Sequence, residues 1–285
     1  VGNDTYDWWQ EESEEGLVSN QITGLAVDEQ YLWVATQRGA NRYDKIADIW
    51  DRYTDRQGLP SRNITAVTSD GSDVWMGTGK GLAKYPRMSD DQNAWITYTT
   101  TIEIKPMVLS EEYASSLVSN KIRAIAAEKD YIWVGTERGV SRYDKKHDMW
   151  QTYTSEDGLM DNKISCIAVD EDSVWFGTAR GVTMYSKKSH DWINFTTENG
   201  LPSNQVTCIA IDGDKVWFGT FDAGLARYNP KAAESWTTFT EKNGLAHSSV
   251  LSMALDENFL WFGTRRGLSR YDKQTNAWTT YTEYK

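Results

Sequence analysis

An all-β chain is predicted by three observations: a segment written six times, a tryptophan at a fixed place in each copy, and strand-length alternation with no helical rhythm. "VWFGTARGVTMY" at 174–185 is echoed by "IWVGTERGVSRY" at 132–143 and by "LWFGTRRGLSRY" at 260–271. Trp33, Trp75, Trp133, Trp175, Trp217 and Trp261 mark the six copies, at spacings of 42, 58, 42, 42 and 44 residues. Each copy holds four strand-like runs bounded by Gly, Asp and Asn turns. Four short antiparallel strands recurring every ~40–45 residues make a blade of a β-propeller. The expected fold is therefore a six-bladed β-propeller with four antiparallel strands per blade, spanning residues 16–285 behind an N-terminal segment at 1–15.

The first run, strand A, reads "ISCIAVD" in the fourth copy. One position in it is always small: Gly24, Ala66, Ala124, Cys166, Cys208 and Ser252. Blades converge near the axis, so only small side chains fit there. The two cysteines fill this slot as small apolar residues rather than as a disulfide or metal pair. Strand B, "VWFGT", carries the marker tryptophan, and strand C, "GVTMY", follows a Gly turn. Strand D, "WINFT", supplies a second series: Trp50, Trp95, Trp150, Trp192, Trp236 and Trp278. Both series read as core between blades rather than as a sugar-stacking platform.

These residues carry a resemblance. The pattern "GLPSNQVTCIAIDGDKVWFGT…GLARY…W", repeated from 16 to 282, resembles the two-component regulator propeller repeat. That repeat occurs in extracytoplasmic sensor regions of bacterial hybrid histidine kinases and in free-standing secreted propellers. The resemblance implies a periplasmic or secreted, non-catalytic sensor. Family sensors typically pair seven-bladed propellers and continue into an immunoglobulin-like domain, a membrane helix and a kinase. Here six copies are present, so the resemblance speaks more strongly for the fold than for signalling.

Bulk properties narrow the partners. Apolar residues make up 39% and charged residues 25% of the chain. No apolar run is long enough to insert in a membrane, and the start "VGNDTYDWW" lacks the basic flank and apolar centre of a signal peptide. A formal charge of −11 argues against nucleic acid.

The terminal copies are as regular as the central ones, which predicts a closed ring rather than an open solenoid with caps. One strand is surplus. "YDWWQEESEEGLVSN" aligns with "HDMWQTYTSEDGLMDN", placing Trp8 at a strand D position and Glu11 where Tyr153 and Tyr281 stand. Trp8 and Trp9 then either latch residues 1–15 to the rim of the last blade or add a strand to a neighbouring molecule.

Propeller geometry puts the D–A and B–C connections on one face, the top. Departures from the repeat gather there. A 13-residue insertion near 100–115 joins copies 2 and 3; the fifth copy has the longer turn "GTFDAGL"; and "GLAHSSV" places His247 where other copies have Ser or Asp. Phe221, Asp222 and His247 surround the junction of copies 5 and 6. On the same face the B–C turns carry Arg38, Lys80, Arg138, Arg180 and Arg266, and the D–A loops carry Asn20, Asn120, Asn162 and Asn204, with Arg62 in the second copy. Guanidinium groups around an axial mouth suit a carboxylate or sulfate. The expected ligand is a small anion, a saccharide or a protein partner. The opposite face has acidic turns, "DED" at 170–172 and "DGD" at 212–214, read as solvated hairpins.

No catalytic or cofactor motif is present: GxSxG, HExxH, paired CxxC and phosphate loops are all missing. No metal or cofactor is expected. His147 and His190 fall on the underside, leaving His247 with Asp222 as the sole top-face pair. Three readings remain: a recognition module, a structural propeller joined through residues 1–15, and a lyase-like enzyme of the kind related to virginiamycin B lyase.

Overall fold

The computed structural model describes residues 16–89, 91–100, 116–232 and 235–282. The N-terminal segment with Trp8 and Trp9, and the inserted stretch 101–115, lie outside the described residues. Six four-stranded antiparallel sheets follow in chain order, each with its strands in sequence order. Blade 1 comprises β1 (Ile22–Val27), β2 (Tyr31–Thr36), β3 (Gly39–Asp44) and β4 (Ile49–Tyr53). Blades 2 to 6 repeat the plan from strands A beginning at Ile64, Ile122, Ile164, Val206 and Val250. The predicted six-bladed β-propeller is what the chain forms.

The expected tryptophan layers are its core. At each of five junctions the strand B Trp of one blade meets the strand C Tyr of the next, as Trp133 meets Tyr185 at 5.7 Å between ring centroids. The strand D aromatic of one blade likewise meets the strand D Trp of the next, as Tyr153 meets Trp192 at 5.2 Å. Alternating large rings fill a wedge that aliphatic side chains would leave open, and edge-on packing adds to their area burial. The small slot is equally explicit. A Cβ added to Gly77 in strand B of blade 2 would lie 2.3 Å from Ile122 of blade 3. Cys166 and Cys208 are free thiols in this slot, and burial pushes them up to about 12 and about 11.

The acidic turns differ from expectation. The carboxylates heading several A–B turns are locks rather than solvated hairpin groups. Asp70 accepts from the Ser72 and Asp73 amides at 2.9 and 2.8 Å and from Trp75 Nε1 at 3.1 Å. It also pairs with Lys145 of the next blade at 3.1 Å while its side chain is 2% exposed. Asp170 likewise binds two amides of its own turn, and Asp212 pairs with Lys273 at 2.7 Å. Buried between blades, a carboxylate must be paired. The heading acids of these turns are therefore spent on structure, while Glu171, Asp172 and Asp214 are exposed as expected.

Ring closure is not seen among the described residues, and the segment expected to help seal it, 1–15, lies outside them. Blades 1 to 6 pack successively, but among the described residues no comparable packing joins blade 6 to blade 1. Ile22, whose counterparts Ile64 and Ile122 are 0% and 2% exposed, is 49% exposed. The repeat fixes how one blade meets the next; whether six such steps complete a turn depends on the angle of each step, which no residue pattern states.

Candidate functional site

The top face is built by two recurrent loops. In each regular B–C turn a Thr hydroxyl, such as Oγ1 of Thr136, donates to the Gly139 carbonyl at 2.9 Å and accepts the Arg138 amide at 3.0 Å. Gly139 has φ 131°, and a Cβ there would fall 2.4 Å from the Tyr153 carbonyl, so glycine is required. The residue before it has its backbone turned inward and its side chain outward. Arg38, Lys80, Arg138, Arg180 and Arg266 are accordingly all exposed at this position. Only Arg180 of the five has an ion-pair partner among the described residues, Asp161 at 3.6 Å.

The D–A loops hold a motif whose purpose the sequence reading missed. Thr54–Gln57, Thr196–Asn199 and Thr240–Asn243 form capping boxes on single-turn 3-10 helices, followed by Gly58, Gly200 and Gly244 at positive φ. The recurring T-x-x-[QDN]-G-L spacing was the available signal. The asparagines proposed for ligand contact serve these loops: Asn162 Oδ1 accepts the Ser155 amide at 2.7 Å and Asn204 Oδ1 the Thr197 amide at 2.8 Å. Arg62 does the equivalent with Asp55 at 2.6 Å. Asn20 is exposed on the top face.

Asn120 is the exception by location. It takes the Thr100 amide at 2.6 Å and donates to Thr100 Oγ1 at 3.0 Å, pinning the chain where the insertion begins. Around it lies a cavity of about 610 Å³ lined by Gly79, Thr100, Ser116–Lys121, Glu137 and Arg138. The cavity thus lies between blades 2 and 3, with the two stems of the insertion, Thr100 and Ser116, in its wall. Lys121 holds the Glu137 carboxyl below its usual range, from 3.2 Å, and Arg123 approaches the same carboxylate at 3.6 Å. Two cations, Lys121 and Arg138, line this cavity with one carboxylate, Glu137, and Arg138 has no carboxylate partner among the described residues. Of the residues proposed from sequence, the structure brings Arg138 and Asn120 together here.

The second expected cluster is assembled in part. The Gly224 amide donates to the Ser248 carbonyl at 2.8 Å, tying the long turn with Phe221 and Asp222 to the loop with His247. Arg265 stacks over Phe221 at 4.4 Å. His247 Nδ1 accepts the Ser249 amide at 2.9 Å, which fixes the proton of a neutral ring on Nε2. His190 bonds Tyr185 and His147 bonds Asp144, each beside its own C–D loop. A smaller cavity of about 300 Å³ includes Arg142, Gln151, Tyr185 and His190, but these are paired with one another: Arg142 Nη2 to Gln151 at 2.5 Å and Tyr185 to His190 at 2.7 Å. Among the described residues no group of His, Cys, Asp and Glu could hold a metal ion.

Fold and face together define a β-propeller with one loop-built, cation-studded end. Residues 200–222 match the two component regulator propeller model, so the chain carries that repeat as its sequence suggested. No curated protein matches the chain. Among solved structures, the extracellular domain of a hybrid two-component system from B. thetaiotaomicron is 22% identical with a TM-score of 0.74. The match covers 95% of this chain but 36% of that one, so this chain spans little more than a third of its length. Virginiamycin B lyase from Staphylococcus aureus is 15% identical with a TM-score of 0.64, covering 93% and 85% of the two chains. YCF48 bound to D1 peptide is 12% identical with a TM-score of 0.62, covering 93% and 86%. At these identities the likeness is one of fold. Among the described residues no helix is long and apolar enough to cross a membrane.

Proposed function

We propose that this chain is a non-catalytic, extracytoplasmic recognition module that binds a small anionic ligand, a carboxylate- or sulfate-bearing saccharide, on its top face between blades 2 and 3. The observation that carries this reading is the 610 Å³ cavity in which Arg138 stands without a carboxylate partner among the described residues. A concave site with a few fixed polar groups is the usual form of a small-molecule site. Arg138 offers two parallel N–H donors to an oxyanion, Lys121 adds charge, and the Ser119 and Asn120 region supplies polar edges for hydroxyls. The likeness to an extracellular sensor domain supports the extracytoplasmic placement. Binding without chemistry suits this site: the three histidines hydrogen-bond within their own loops and none lines the cavity, and its one carboxylate, Glu137, is paired with Lys121.

Calorimetry with trigalacturonate and with a sulfated disaccharide tests the reading. Arg138→Ala should weaken binding of the preferred probe at least about tenfold, the worth of one charge-assisted hydrogen-bond pair, with the melting temperature unchanged. Equal binding of the uncharged sugar, or full affinity in the variant, contradicts it.

A further inference from the structure

The top of the junction between blades 5 and 6 departs from the repeat in three places at once. The B–C turn of blade 5, with Phe221, Asp222, Ala223 and Gly224, is one residue longer than its counterparts. It reaches across to blade 6, where the Gly224 amide donates to the Ser248 carbonyl at 2.8 Å. Next, Phe221 and Arg265 occupy a turn position that holds Gln37, Gly79, Glu137 and Ala179 in the other blades. The Arg265 guanidinium lies 4.4 Å above the centre of the Phe221 ring. Last, His247 closes its D–A loop through Nδ1, a role that the Ser61 and Ser203 hydroxyls fill for Asn63 and Gln205. A serine suffices for that closure; a histidine adds an Nε2–H donor. The other blades fold without any of these changes, so the fold itself does not require them.

The groups gathered there have opposite charges that remain unspent. Arg265 and Asp222 are both exposed, and neither pairs with the other or with any charged group among the described residues. Stacking on the ring holds the guanidinium plane and leaves its N–H edges available for an oxyanion. Phe221 is 40% exposed, so part of the ring remains an open apolar surface. Ser249, whose carbonyl takes the Arg265 amide at 3.2 Å, is 2% exposed, and its hydroxyl has no partner among the described residues. A buried polar group left in this way calls for an explanation. A simple anion drawn to Arg265 would be repelled by Asp222, one residue along from the ring. A ligand with an ammonium group two bonds from its carboxylate turns that repulsion into a second contact.

We propose that this junction is a second ligand site, taking a free α-amino acid with an apolar side chain. The carboxylate lies on Arg265, with His247 Nε2–H as a further donor; the ammonium lies on Asp222; the side chain covers the open part of Phe221. The site shares no residue with the cavity between blades 2 and 3, and it goes beyond the anion binding proposed there.

Calorimetry of the full chain with L-leucine and L-phenylalanine tests this. At least one of the two should bind. Its amide, which lacks the carboxylate, and its N-acetyl derivative, which lacks the ammonium, should each bind at least about tenfold more weakly, the worth of one charge-assisted contact. Arg265→Ala should weaken the amino acid by a similar factor. Asp222→Asn should weaken the amino acid yet strengthen the N-acetyl derivative, because the repulsion is gone; a merely structural role for Asp222 would not produce that reversal. Both positions are exposed, so folding should survive, and an unchanged melting temperature checks it. Saturating trigalacturonate should leave the amino acid's affinity unaltered. No binding of either amino acid, equal binding of the blocked derivatives, full affinity in Arg265→Ala, or displacement by trigalacturonate overturns the proposal. The last of these would place the amino acid in the cavity between blades 2 and 3, and none of the others bears on that cavity.

Discussion

Replacing Trp133 with Ala should cost about 3–5 kcal/mol and lower the melting temperature by something on the order of 10 °C. Trp133 is 1% exposed, stacks on Tyr153, and meets Phe176 and Tyr185 of the next blade. Its indole N–H also donates to Glu128 at 2.6 Å. Truncation would leave a cavity walled by rigid rings that cannot collapse, together with a carboxylate that has lost a donor. Trp261→Ala, at the same repeat position in blade 6, should cost much less, because Trp261 is only partly buried. Thermal unfolding of the two variants side by side measures the difference. Equal losses would mean that Trp261 is as well packed as Trp133, against its greater exposure.

The second large effect is expected at Asp70. Burial alone would raise its carboxyl, but the Asp73 amide, Trp75 Nε1, Lys145 and the Ser72 amide together outweigh burial and hold it below the usual carboxylate range. Asp70→Ala should destabilise by about 3 kcal/mol, since it leaves Lys145 partly buried without its charge partner. The sign of the pH dependence follows from the lowered value. The carboxylate's contribution is complete above the unfolded pKa of about 4 and is lost as pH falls through the folded one. The gap between wild type and variant should therefore be full at pH 7 and shrink under acid. Denaturant unfolding at pH 7 and below pH 4 reads this directly; a gap independent of pH would assign the loss to packing instead.

The blade plan was legible because each blade meets the next through the same few positions. Trp at strand B, Trp at strand D and a small residue at strand A all recur because one junction recurs. The cation series was legible for the same reason, and it is exposed as read. What the repeat obscured was role. Asn162 and Asn204 recur because each loop needs a closing acceptor, and Asp70 and its counterparts recur because each junction needs a paired acid. A repeated polar residue marks a repeated structural need, so the series alone overstated the site. Arg138 and Asn120 stand apart because both line one cavity, with Thr100 and Ser116 in its wall. The junction of blades 6 and 1 was not legible, since Ile22 stands where Ile64, Ile122 and Ile164 stand and differs from them in its exposure.

The account's central claim is that the top face between blades 2 and 3 holds the ligand. Its most direct test is a crystal structure of the chain grown with the tighter-binding of the two anionic probes. The account predicts the carboxylate or sulfate group on the Arg138 guanidinium, within the cavity walled by Thr100, Ser116 and Asn120. Density for the probe on the underside, or in the smaller cavity beside His190, would contradict it.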